Sequence, residues 1–446
     1  MQEIIDTFNV PNHLETIGNV RYRSLYQVTN LAVHSFGSVG NTLASLMQAM
    51  GLIGNSPRAI VDQRLASLWF GVSIRPIDWE MPPIWDAIAG DYETKDGWIK
   101  LHTNLAHHRK AACKVLGCEA SRKAVAAAVR ERNGDGLEQA IVDAGGVAAV
   151  MRTEDEWAGH PHGKTVASEP LVHWCDVKHR KLREWQPKLA RPLNGLRVLD
   201  LTRVLAGPVA TRTLAAFGAD VLRIDPPAWQ EDNVVPDITL GKRCARLDLK
   251  TNEGKERFER LLSKADVLVH GYRNGALDGL GLDSEYRLKI APNLIEVSLN
   301  AYGWEGPWKN RRGFDSLVQM SAGIASSGMI WAQADKPTPL PVQALDHATG
   351  YLMAASVIKA LDNHMRGKPS SNAKLSLART AELLKRFLQA EDCNYIDGTC
   401  DDDFSNKVEH NSWGNTRRLK APLVIGDTRM RWNSPACALG SHEAQW

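Results

Sequence analysis

Thr202-Arg203-Val204-Leu205-Ala206-Gly207-Pro208 joins a strand-like run to a helix-like one, which is where an α/β sheet receives a nucleotide. A turn that closes on a pyrophosphate wants G-x-G-x-x-G, so that backbone can approach the phosphates. Here there is one glycine among bulky neighbours, which argues against a nicotinamide dehydrogenase, although Asp225 sits where a ribose-binding acid might. Lys242, Arg243, Arg246 and Lys250 form a basic cluster that reads as a solvated face by default. Asp346 precedes a helical pattern over His347–Leu361, and aspartate is a favoured N-cap. The seven cysteines are odd in number, scattered and without a CxxC pair, which predicts neither a disulfide framework nor a zinc site and fits a reducing cytosol.

The elements that must position these residues follow from periodicity. Leu31 to Ile53 is apolar but broken by His34, Ser35, Asn41 and Gln48, so it reads as a buried helix rather than a membrane span. A compact α+β block comes next. Trp98–His102 alternates like a strand, Ala106–Leu116 and Ser121–Arg132 read as helices, and Gly134-Asp135-Gly136 breaks the pattern before Leu137–Ala144 resumes it. Val147–Val150 is a short strand, and Thr153 with Glu156 is a capping-box signature. Lys178–Asn194, rich in Lys, Arg and Pro, reads as a linker. Strands are then expected at Leu196–Leu201, Asp220–Asp225, Ala245–Leu249, Ala265–His270 and Leu294–Ser298, with helices at Val209–Phe217 and from Asn252. Phe258, Leu261, Leu262 and Ala265 share one helix face. Repeated βαβ units predict a mostly parallel sheet with ligands at its carboxyl edge. Pro422–Ile425 is one strand expected in the polar tail.

Taken in order, a set of segments resembles the class III CoA-transferase family, the formyl-CoA transferase and carnitine dehydratase group also called CaiB/BaiF. They are Leu199-Asp200-Leu201-Thr202 to Pro208, Phe217-Gly218-Ala219-Asp220-Val221, Lys242-Arg243 to Leu247-Asp248-Leu249-Lys250, and Tyr272-Arg273-Asn274-Gly275. Ala301-Tyr302-Gly303, Gly313-Phe314-Asp315 and Asp346 complete the set. The block around residues 91–172 resembles the family's small domain, but here it precedes the CoA-binding half instead of following it. The resemblance implies an α/β fold, with a Rossmann-like, mostly parallel sheet and a smaller α+β domain. The expected organisation is a mainly helical segment at 1–90, the small domain at 91–177, the linker at 178–194, the CoA-binding domain at 195–375 and a segment at 376–446 returning to it.

The chemistry implied is transfer of CoA from an acyl-CoA to a small carboxylic acid. An aspartate carboxylate attacks the thioester, giving an acyl-aspartyl anhydride and CoA thiolate. The thiolate then forms an aspartyl-CoA thioester that the acceptor takes over. Asp346 matches the family's nucleophile, and an unperturbed aspartate is ionised without a base. A helix N-terminus would stabilise it and offer N–H donors to an oxyanion. His347 reads as a solvated or capping neighbour. Val204, Leu205 and Ala206 match the CoA path near the sulfur, with Leu205 apolar where relatives carry a polar residue. Leu247, Lys250, Tyr272, Arg273, Arg312, Gly313 and Phe314 match the remaining CoA contacts, whereas Gly271 and Gly279 replace polar or basic ligands of some relatives. Racemases of the same fold need a histidine directly before the aspartate of the Gly-x-Asp segment, and Phe314 cannot carry a proton. A CoA-binding subunit without turnover is the other alternative.

CoA is expected as substrate and carrier, with no permanently bound cofactor and no metal. The resemblance implies an interlocked homodimer. A net charge of +3 is too small for a nucleic-acid partner but allows a basic pocket. With 43% hydrophobic and 24% charged residues the chain is ordinary globular protein. The acidic start, lacking a basic region and an apolar run, predicts no signal peptide, hence a cytoplasmic protein without membrane attachment.

Overall fold

Short apolar strands alternating with amphipathic helices build the sheet on which the other elements pack. The protein, described from a computed structural model, is defined at residues 1–55, 57–390 and 394–446. Cys393 therefore lies outside the described residues. A small antiparallel sheet comes first, formed by β1 (Gly90–Glu93), β2 (Trp98–Leu101) and β3 (Ala148–Val150). The large sheet comprises β4 (His173–Lys178), β5 (Arg197–Leu201), β6 (Asp220–Asp225), β7 (Lys242–Arg246), β8 (Val267–His270), β9 (Ile295–Asn300) and β10 (Ser370–Ser376). Its spatial order is β7-β6-β5-β8-β9-β10-β4, parallel throughout except for the antiparallel edge β4. The fold is thus mixed α/β, with a mostly parallel sheet plus a smaller α+β unit. The order in which strands are added reverses between the parallel β5 and β8, and such a switch point leaves a crevice at the carboxyl ends of those strands.

Several local expectations shift for physical reasons. β7 lies at Lys242–Arg246 rather than Ala245–Leu249, because Lys242 turns inward to bond Asp200 across the sheet. The helix expected from Leu137 starts at Gly134, since the Asp96 carboxylate, in the turn between β1 and β2, accepts the Gly134 N–H at 2.8 Å. The capping box of Thr153 and Glu156 forms on helix Glu154–Gly159. That helix and Pro161–Ser168 pack on the large core through Trp157 and Val166, and β4 joins the large sheet. The small unit's own core instead holds Ile88, Tyr92, Ile99, Val125 and Ile141. Residues 178–194 carry only an isolated bridge, but three arginines pin them. Arg180 donates to the Leu294 carbonyl and Asn372, Arg183 pairs with Asp266, and Arg191 donates to the Ala215 and Ala216 carbonyls.

α1 (Val28–Ala49) and α2 (Ala206–Ala216) both pack against α3 (Ala344–Met365). α3 is buried along most of its length, with α1 on one side and α2 on another. Phe36 of α1 packs on Tyr351 of α3 with ring centroids 3.9 Å apart. On the α2 side, a Cβ at Gly350 would stand 2.4 Å from the Ala206 carbonyl oxygen, so only glycine permits this approach. No helix among the described residues is long and apolar enough to cross a membrane.

Gly350→Ala should push α3 away from the turn after β5. An overpacking loss of about 1–3 kcal/mol is expected in denaturant unfolding, whereas a change within error would show that the contact relaxes freely.

Candidate active site

The turn after β5 is held from beneath by buried charge. Asp200, at the strand end, accepts the Thr202 N–H at 2.8 Å and hydroxyl protons from Thr202 and Thr211. Lys242 Nζ donates to it at 3.0 Å and also to the Pro208 carbonyl. Burial pushes the Asp200 carboxyl up, but Lys242 and Arg223 outweigh it and hold the group below the usual range. Beyond this, Val204 has φ +64°, a conformation that a β-branched residue adopts only under constraint. The constraint is Glu231, which accepts the Val204 N–H at 2.9 Å and is itself clamped by Arg223. Arg223 also donates to Asp225 at 2.8 and 3.0 Å. Asp225 is fully buried in that pair, so it cannot meet a ribose.

Above the turn lies a cavity of about 400 Å³. It is lined by Val204, Leu205, Ala206, Tyr272, Arg273 and Arg312, and by Gly313, Phe314 and Asp346 beyond them. Leu247 and Lys250 are not among its lining residues: Leu247 packs on the second hydrophobic cluster, and Lys250 is exposed beyond the far edge strand β7. Sequence reasoning missed Arg203 and Trp229. The Arg203 guanidinium lies 4.3 Å from the Trp229 ring centroid and 5.1 Å from that of Tyr272, and it donates to the Tyr272 hydroxyl at 2.8 Å. A cation between two rings is a rigid, charged wall. Arg312 and the exposed Arg273 have no recorded ion pair among the described residues. Burial, then Arg273, pulls the Arg312 pKa down, and an anion arriving there would relieve that repulsion. Gly313 is required by contact, since a Cβ there would meet Tyr302 at 2.6 Å.

A second cavity of about 310 Å³ meets the first at Asp346, Leu205, Val204 and Phe314. Its other wall comes from the small unit and the segment before it, including Trp85, His102 and Asn104. His102 stacks on Phe314 at 3.9 Å with an interplanar angle of 9°. The small unit therefore faces the same strand ends as Asp346 within one chain.

Asp346 is buried in the first turn of α3, not at its N-cap, because the helix begins at Ala344. The cap comes from Asp315, whose carboxylate accepts the Asp346 N–H at 2.9 Å and the Leu345 N–H. Gln319 orients Asp315, donating to it while accepting the Leu340 N–H at 2.7 Å. The expected free N–H donors for an oxyanion are thus taken. The expectation of an ordinary aspartate also fails. Burial and the neighbouring Asp315 push the Asp346 carboxyl well above the usual range, and burial raises Asp315 too. His347 is neither solvated nor a cap; it is buried, stacked 5.4 Å from Phe70 and pushed down to about 3 by burial and Arg212. No group of three or more His, Cys, Asp or Glu among the described residues could hold a metal ion.

Residues 193–398 match the family model described as CoA-transferase family III. Over these residues the chain is similar to CoA-transferase family III. It is 36% identical over 186 residues to the probable fatty acyl-CoA transferase Rv3272 of Mycobacterium tuberculosis, covering 39% of this chain and 47% of that protein. It is 34% identical over 187 residues to the formyl-CoA:oxalate CoA-transferase of Escherichia coli O81, covering 39% and 44%. The crystal structure of Rv3272 in its orthorhombic form aligns with TM-score 0.41 and 33% identity, over 45% of this chain and 57% of that one. The chain spans less than half the length of either curated relative.

The raised carboxyl at Asp346 has a stability signature. A folded pKa above the unfolded value of about 3.9 gives a contribution fully present below pH ~4 and lost as pH rises through the folded value. Asp346→Asn should therefore raise the melting temperature at pH 7–8, with the gain over wild type shrinking towards pH 4. A variant that melts below wild type at pH 8 would contradict the raised pKa.

Proposed function

We propose that the protein moves CoA from an acyl-CoA to a free carboxylic acid, with the Asp346 side chain carrying first the acyl group and then CoA. The observation that carries this reading is a single buried carboxylate at the junction of two cavities, one walled by arginines and the other bare of them. The family match over 193–398 supports the same reading.

In this mechanism the CoA phosphates lie against Arg203, Arg273 and Arg312, and the pantetheine thioester runs past Val204–Ala206 to Asp346. Asp346 first gives its proton to solvent water through the open cavity, before the ligand arrives. Approach of the arginine-lined cavity's ligand excludes water, while Asp315 stays fixed by two backbone N–H bonds and Gln319. The Asp346 carboxylate attacks the thioester carbonyl, releasing CoA thiolate and leaving the acyl anhydride. Thiolate attack on the aspartyl carbonyl of the anhydride releases the donor carboxylate and leaves aspartyl-CoA thioester. The acceptor carboxylate then attacks that carbonyl, giving a mixed anhydride and thiolate, and the thiolate closes on the acceptor acyl carbon to regenerate Asp346. Phe314 leaves the racemase alternative without its proton carrier at that position. The interlocked homodimer and the cytoplasmic location belong to this same proposal.

Asp346→Asn keeps the shape of the side chain but replaces the nucleophile with a neutral amide. CoA exchange between an acyl-CoA and labelled acid should fall by several orders of magnitude, with calorimetric CoA affinity close to wild type. Arg312→Ala should instead weaken CoA binding by about 1–3 kcal/mol, the worth of a charge-assisted hydrogen bond. Exchange persisting in Asp346→Asn would refute the nucleophile; CoA affinity unchanged in Arg273→Ala/Arg312→Ala would refute the pocket.

A further inference from the structure

The two cavities that meet at Asp346 differ in charge. The first presents Arg203, Arg273, Lys309, Arg311 and Arg312. The second has no lysine or arginine among the described residues that line it. Its acids are mostly neutralised: Asp86 pairs with Arg109, Glu231 with Arg223, and Asp315 with N–H groups at the start of α3. Besides Asp346 itself, only Asp232, exposed at the rim, lacks a recorded partner.

The remaining wall is mainly apolar, with Asn104, Gln230, Asn233, Ser316 and Gln343 as its neutral polar groups. Trp85 meets His102 edge-on at 5.6 Å, His102 lies flat on Phe314, and Leu205 and Val234 line the same space. His102 is neutral, pushed down to about 3 by burial, and gives no positive charge. A second carboxylate entering here would leave water without meeting a cation, which is costly. Away from Asp346, a cationic group would find only Asp232 unpaired.

We propose that this cavity holds the body of the acyl group, and that it selects an apolar monocarboxylic acyl chain, aliphatic or aryl, against dicarboxylic acyl groups. The inference rests on the CoA-transfer reading and names the substrate class of the same site. Leu205, an apolar side chain, lines both cavities.

Affinity tests this independently of turnover. Calorimetry on Asp346→Asn protein compares CoA, hexanoyl-CoA, adipyl-CoA and 4-(trimethylammonio)butyryl-CoA. Hexanoyl-CoA should bind roughly tenfold or more tightly than CoA, from burial of its chain, and roughly tenfold or more tightly than adipyl-CoA, whose distal carboxylate goes unpaired. Asp232→Lys should narrow the gap for adipyl-CoA. The proposal is overturned if adipyl-CoA or the trimethylammonio compound binds as tightly as hexanoyl-CoA, or if all four bind alike or not at all. If the affinity order holds but wild-type protein never passes CoA from hexanoyl-CoA to an acid, the transfer reading fails and the cavity assignment stands.

Discussion

A buried aspartate at the start of a buried helix is unstable unless something satisfies the N–H groups around it. Here Asp315 supplies that partner by accepting the Asp346 N–H. Two carboxyl groups at one helix N-terminus gain from its dipole but repel each other and lose hydration. The structure holds them together because α3 has little freedom to move. Tyr351 is wedged on Phe36 of α1, and Gly350 rests on the Ala206 carbonyl of α2. The Asp346 carboxyl is thereby held fixed and largely out of water, at some expense of stability.

The turn facing Asp346 is fixed in the same way, by charge buried beneath it. Asp200 on β5 pairs with Lys242 on β7, and Arg223 on β6 pairs with both Asp225 and Glu231, the latter from the segment between β6 and β7. Removing one partner of such a pair leaves an uncompensated buried charge, so each pair acts as a structural unit. Their common product is the backbone at Thr202–Val204, including the strained Val204. Val204 and Leu205 line both cavities, and so these ion pairs set where the two cavities meet.

The parallel strands after residue 194 are legible because apolar runs alternate with helical periodicity. β7 is misplaced because Lys242, Arg243 and Arg246 do not look like strand residues until Asp200 and Asp220 are seen to pair with two of them. β4 and β10 escape for a related reason. Cys175, Asn372 and Lys374 face a polar cavity of about 380 Å³, which interrupts any apolar pattern. At the site, Asp346 and the 204–206 turn are found through resemblance, and local spacing then suggests the wrong cap. Arg203 with Trp229, and His102 with Phe314, are brought together from distant segments, and nothing in their local sequence signals the contact. Lys250 fits the resemblance but lies outside the cavity, beyond the far edge of the sheet.

The central claim is that Asp346 becomes covalently loaded. Its most direct test is peptide mass analysis of protein incubated with hexanoyl-CoA and quenched with hydroxylamine, which converts an anhydride or thioester on aspartate into a hydroxamate. The account predicts a mass gain of one hydroxamate on the peptide containing Asp346, dependent on the acyl-CoA. No modification under turnover conditions, or modification on Asp315 instead, would contradict it.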